Sequence, residues 1–190
     1  MPSTTAFRLS LAVQLLTVFA LGIMAGFFGT YSANVNLAML QLDGPTYAMV
    51  QSGFNRNVRH ALFFAFFFGP LPLGLLTLAT SGRQGARAWG WLVAVTVLAY
   101  ALGIVWFTRE VNLPLNQLTE SWTPTTLPAD WAAVRDAWNR ANLLRAVLSA
   151  GLFALGLLSL TLRLLAAAPA PAPAPASAGI LRGTGARIGA

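Results

Sequence analysis

Cysteine and lysine are absent from this 190-residue chain, histidine occurs once, and acidic residues number five. The lack of cysteine excludes disulfides and thiolate metal sites and leaves the redox compartment open. A single histidine excludes a histidine cluster or an HExxH motif, so a zinc or di-iron centre would lack ligands. At most, His60 would offer one axial ligand to a haem. No GxGxxG, P-loop or GxSxG occurs, which removes the usual signatures of dinucleotide sites, phosphate loops and nucleophile elbows. No metal, nucleotide or other cofactor is therefore expected. Charge is scarce too: 9% of residues, where soluble domains carry about 25%.

What fills the chain is apolar. Hydrophobic residues make up 56% and the mean hydropathy is +0.65. Four runs, Leu9–Phe28, Ala61–Leu78, Trp89–Phe107 and Leu143–Leu162, each approach the roughly 20 residues that cross a bilayer core. Arg145 is the only ionisable residue inside them. The prediction is an all-α fold, a four-transmembrane-helix bundle over residues 1–166, with helices near 9–31, 59–80, 88–111 and 129–165. The first run is too long for a signal-peptide core and lacks an A-x-A site after it, so it is expected to be retained. The fourth helix is expected to start near Pro128 and Asp130, residues suited to a first turn. Its first turns then stand outside the bilayer. The alternating Ala-Pro tail, residues 167–190, favours extended polyproline II and is expected to be a disordered tether.

Twelve arginines give a net charge of +7. In a membrane chain this is a topology signal rather than a nucleic-acid patch. An even number of spans puts both termini on one side, with Arg8, Arg83, Arg87, Arg163, Arg182 and Arg187 and no acid. The short double-arginine loop SGRQGAR assigns that side, and both termini, to the cytoplasm of a bacterial inner membrane. Membrane lipid is the expected partner and nucleic acid is not.

Span order gathers polarity at the other face. YSANVN (31–36), NRNVRH (55–60), TREVNLPLN (108–116) and WNRANLLR (138–145) all end or begin spans there. Trp138, Asn142, Arg145 and Ser149 recur at helical spacing, one stripe running from the interface into the apolar core. An arginine at that depth needs a partner or must snorkel, and Glu110 is the expected one. Asn112 and Asn116 would share a face if the third helix continued, but Pro114 is expected to interrupt it and free the carbonyl of Glu110. Two readings fit: a stapled helix end anchored by Arg145, or a ligand pocket made from the same groups. Elsewhere, Gly22, Ala25, Gly26, Gly29 and Ala33 form a small-residue stripe suited to close helix packing, with a substrate groove as the alternative. Pro70 and Pro72 should kink the second helix, beside a wall of Phe63, Phe64, Phe66, Phe67 and Phe68 that suits either lipid or a flat apolar ligand.

The order of AGFFGTYSANV, FNRNV, VNLPLNQL and DWAAVRDAWNRANLLR resembles the anthrone oxygenase-like integral membrane family, many of whose bacterial members are grouped only as a domain of unknown function. The resemblance runs from about Leu11 to Leu160. Its most specific pieces are V-N-x-P-x-N at Val111–Asn116 and W-N-R-x-N-x-x-R at Trp138–Arg145. Named fungal members oxidise anthrones to anthraquinones with O₂. The resemblance implies a cofactor-independent oxygenase for a small aromatic substrate, with Arg145, Asn142, Asn112 and Asn116 as donors to a developing oxyanion and Glu110 or His60 as base. Relatives often carry a histidine after the fourth-helix asparagine, where this chain has Leu143. A non-enzymatic protein that binds a lipid or quinone-like molecule, or supports a membrane complex, is the competing class. A transporter ranks last, because no acid lies inside any span.

Overall fold

A computed structural model describes residues 4–123 and 125–168, and within them the chain is all helical. The Ala-Pro tail from residue 169 onward lies outside the described residues. α1 (Thr4–Thr30) runs on through a π-helical stretch, Tyr31–Val35, into α2 (Asn36–Met39). α3 (Gly44–Asn57) precedes a second span made of α4 (Ala61–Phe68) and α5 (Pro70–Ser81). The third span is α6 (Ala88–Tyr100), π-helical Ala101–Trp106 and Thr108–Asn112, and α7 (Leu113–Glu120). α8 (Trp131–Ala167) is the fourth, its 37 residues amounting to about 55 Å at 1.5 Å each.

Three helices are long and apolar enough to cross a membrane, and the bent α4–α5 pair makes a fourth. The protein is an integral membrane helical bundle. The break at Gly69 turns the second span by 44°, as the prolines Pro70 and Pro72 require by withholding two backbone donors. Tyr100 donates its hydroxyl to the Phe67 carbonyl at 2.8 Å, supplying a hydrogen bond beside the break. Around the bundle α1 packs on α5 and α8, and α6 packs on the same two. Their shared core holds Leu21, Met24, Phe28, Phe67, Tyr100 and Ile104.

Three expectations need correction. Pro114 does not end the third span. The Leu113 amide bonds to the Thr108 carbonyl five residues back, so the helix has already widened to π geometry where proline enters, within the first two positions of α7. The phenylalanine wall is divided: Phe67 is buried in the core, whereas Phe64 and Phe68 face outward. The kink leaves room between Pro70, Val97, Tyr100 and Gly156 of only about 10 Å³, enough for a single water. The Gly22–Gly29 stripe is only partly a packing surface. A Cβ on Gly22 would meet Phe153 at 3.0 Å, but Gly26 and Gly29 face open space. Close approach occurs instead at Gly74 against Val97 and at Gly156 against Val18 and Leu21. Gly74→Ala is therefore expected to cost about 1–3 kcal/mol through overpacking, and Gly26→Ala to be neutral or stabilising by helix propensity. Paired melting curves in one detergent check this, and a harmless Gly74→Ala would contradict it.

One element, α3, stands outside the four predicted helices, because the apolar pattern does not announce it. Its signal is local: Asp43-Gly44-Pro45 is a helix start. Asp43 Oδ1 accepts from the Thr46 amide at 2.8 Å, and Pro45 stands in the first turn, where no amide partner is needed. That bond to the charged form holds the Asp43 carboxyl below its ordinary value. The cap's stabilisation is thus present above the unfolded-state value and lost as pH falls through the folded one. α3 packs against α7, and Tyr47 and Ala48 join Met39 and Trp122 in a second core.

Candidate functional site

The four chain segments expected at one mouth do meet there, through side-chain hydrogen bonds. Tyr31 donates to Gln51 Oε1 at 3.1 Å, Gln51 Nε2 to Asn55 Oδ1 at 2.9 Å, and Asn55 Nδ2 to Thr119 Oγ1 at 3.1 Å. Ser52 donates to the Thr119 carbonyl. This relay ties the first span through α3 to the end of the third. The fourth joins it where Trp138 Nε1 donates to Asn116 Oδ1 at 2.7 Å, with the Tyr31 and Trp138 rings 5.0 Å apart. Arg59 pairs with Glu120 on the outside of the same face.

Beneath this layer sits Arg145, 6% exposed. Its Nη2 donates to Asn142 Oδ1 at 2.8 Å and its Nη1 to Thr108 Oγ1 at 3.2 Å. Asn142 Nδ2 in turn reaches Ser32 Oγ at 2.8 Å and the Phe28 carbonyl at 3.5 Å. The guanidinium lies over the Phe28 ring at 4.5 Å, an attraction of a buried cation for a π face. The expected pairing with Glu110 does not form. Glu110 faces outward, its side chain 48% exposed, and meets Arg109 at 3.5 Å. Widening of the helix over Thr108–Asn112 changes which side chains face α8: Thr108 and Asn112 turn inward and Glu110 does not. His60 is also outside the cluster. It is exposed, and its Nδ1 accepts from the Phe63 amide at 3.3 Å as the cap of α4.

Asn112 is the most unusual member. It is fully buried, at 0% exposure, yet neither its Oδ1 nor its Nδ2 has a hydrogen-bond partner. Arg145 Nε and Ser149 Oγ, one turn apart on α8, are buried and unpartnered as well. Buried polar groups are nearly always paired, so such a set calls for an explanation. Tyr47, at the α3 layer above, adds another buried hydroxyl without a partner; burial raises its pKa and keeps it a neutral donor.

Ser32, Thr108 and Asn112 all lie in π-helical stretches. Such widened turns are rare and frequently occur at functional sites. Spacing on the fourth helix revealed Asn142 and Arg145 in advance; Thr108 and Ser32 carried no comparable signal, because their inward turn depends on the widened backbone. The cluster is thus a buried cation without a carboxylate, surrounded by neutral amides and hydroxyls. Chemically it can hold an anionic or strongly polarised oxygen in an apolar setting. No three carboxylates or histidines converge as metal ligands among the described residues.

Residues 61–155, half of the chain, match the model of a family described as anthrone oxygenase. No curated protein and no solved structure matches the chain. The matched region holds Glu110, Asn112, Asn116, Asn142 and Arg145 and stops one residue short of His60.

Proposed function

The chain belongs to the anthrone oxygenase family, and from that premise we propose that it is a cofactor-independent oxygenase of a small, flat, anthrone-like aromatic. The observation that carries this is the unpartnered Asn112 amide in a site whose buried cation has no carboxylate. An anthrone oxygen placed against Arg145 and Asn112 would meet the unpartnered Arg145 Nε and Asn112 Nδ2, donors already fixed. As the C–H proton leaves, charge grows on that oxygen, and fixed donors in a dry site favour it most at that stage. A nearby uncompensated guanidinium lowers the pKa of the enol form, so loss of its proton needs no strong base. The enolate then passes an electron to O₂, the two radicals combine at the ring carbon, and the peroxide loses water to leave the second carbonyl. One O₂ is consumed and one water released per anthrone. Glu110 and His60 remain the titratable candidates for proton acceptor at this face, Asn116 orients Trp138, and Asn142 orients Arg145. A bacterial inner-membrane location with cytoplasmic termini completes the reading, on the strength of the arginine-rich, acid-free end.

One observation favours a second reading, that the site binds a quinone-like or lipid ligand without turnover: both candidate bases contact neither Arg145 nor Asn142. Oxygen uptake separates the two. Purified protein given a simple anthrone should consume O₂ above the spontaneous rate. Arg145→Gln should lose about 10²–10³-fold, as removal of an oxyanion donor does elsewhere. Ligand binding with buffer-level uptake would transfer the site to the second reading.

A further inference from the structure

The opposite end of the bundle holds a second buried arginine that this reaction does not use. Arg163 lies eighteen residues beyond Arg145 on α8, five full turns, hence on the same face and about 27 Å away. It is 2% exposed. Nη1 donates to the Ser10 carbonyl at 3.2 Å and to Gln14 Oε1 at 2.8 Å, and Nη2 to Ser10 Oγ at 2.9 Å. Its guanidinium covers the Trp89 ring at 4.5 Å, and its Nε has no partner. Gln14 Nε2 donates to Ser159 Oγ, which donates to the Trp89 carbonyl, and Ser10 Oγ meets Ser81 Oγ at 2.9 Å. The expectation that nearly all polarity gathers at one mouth is therefore too narrow. Ser10, Gln14 and Thr17 sit at helical spacing on α1, as do Ser159 and Arg163 on α8, and those two rows meet.

These bonds pin the ends of all four spans into one layer. Arg8 is two residues from Ser10, Arg83 two from Ser81 and Arg87 two from Trp89, and all three are exposed. With Arg163 they are the only ionisable side chains of this end among the described residues. The acid-containing pairs, Arg59–Glu120, Arg109–Glu110 and Arg135–Asp136, belong to the other end. Exposed apolar side chains flank the arginines: Leu9 at 59%, Trp91 at 66% and Leu165 at 67%. Cations at a span's end next to lipid-facing apolar surface suit a phosphate that carries acyl chains.

We propose that this face is a binding site for acidic phospholipid, with the headgroup phosphodiester meeting Arg8, Arg83 and Arg87 and the acyl chains lying along Leu9, Trp91 and Leu165. Arg163 is a positioning residue that holds the helix ends presenting the other three. The test is the lipid retained by protein extracted from vesicles of equimolar phosphatidylglycerol and phosphatidylcholine, counted by mass spectrometry. Each exposed arginine should favour the acidic lipid by up to about fivefold. The Arg8→Gln, Arg83→Gln, Arg87→Gln variant should fall to near-equal retention, while Arg56→Gln with Arg140→Gln, exposed arginines of the other end, should keep the preference. Equal retention by the unaltered protein, or an undiminished preference in the triple variant, overturns the proposal. A melting temperature raised as much by inorganic phosphate as by phosphatidylglycerol would also overturn it, in favour of a free anion. None of these outcomes depends on oxygenase activity.

Discussion

Asn112→Leu is expected to make the protein more stable and less functional. The wild-type amide is fully buried with both polar atoms unpaired, and leaving such a group unmade costs about 1–3 kcal/mol. Leucine has a similar reach and no polar atom, so it recovers that cost. The melting temperature should rise by about 2–4 °C for each kcal/mol recovered, the scale for chains of this size. Oxygen uptake with an anthrone should fall about 10²–10³-fold in the same variant. Opposite signs for stability and activity mark a residue kept for what it binds. The comparison needs only a thermal unfolding curve and an oxygen electrode. A lower melting temperature would show that the amide is satisfied in the folded protein, for instance by a bridging water, and would falsify its role as a free donor.

The neighbouring asparagine should respond with the opposite sign. Asn142 gives Arg145 its shortest hydrogen bond, 2.8 Å, and holds the first span through Ser32. Alanine there leaves the buried guanidinium with Thr108 as its remaining hydrogen-bond partner and no carboxylate beside it. Losing a hydrogen bond to a buried charged group typically costs about 1.5–3 kcal/mol, so Asn142→Ala is expected to express poorly and melt early. Asn142→Asp divides the two readings of the stripe. A carboxylate at that position pairs with Arg145 and restores stability relative to alanine. It also neutralises the cation that an enolate oxygen would use, so uptake should remain near background. If Asn142→Asp is stable and still consumes oxygen with anthrone at the wild-type rate, the stripe is a structural staple and the chemistry lies elsewhere.

Much of this architecture was legible from residue order. Length and hydropathy of the four runs called for four spans, and the paired prolines marked the bend in the second. The spacing of Trp138, Asn142, Arg145 and Ser149 put them on one buried stripe, as all four are. These features follow from local rules, since periodicity and proline geometry act on neighbours a few residues apart. The Asp43-Gly44-Pro45 start of α3 is a local signal too, but α3 is not among the predicted helices, because it lacks the apolar run that marks a membrane helix.

Pairing was decided otherwise. Glu110 and Arg145 have complementary charge and similar depth, yet a single widened helical segment turns Thr108 and Asn112 toward α8 and leaves Glu110 outside. A π turn changes the angular position of every side chain near it, so ideal helical spacing read along the chain no longer says which side chain faces α8. Likewise the cluster around Arg163 exists because rows on α1 and α8, roughly 150 residues apart in the chain, lie against each other. By itself the sequence determined the solvent, the number of spans and the stripe on the fourth helix, because each is a one-dimensional pattern. Only the tertiary structure decided which polar groups find partners and which are left free, because that depends on helix rotation and contact across the bundle.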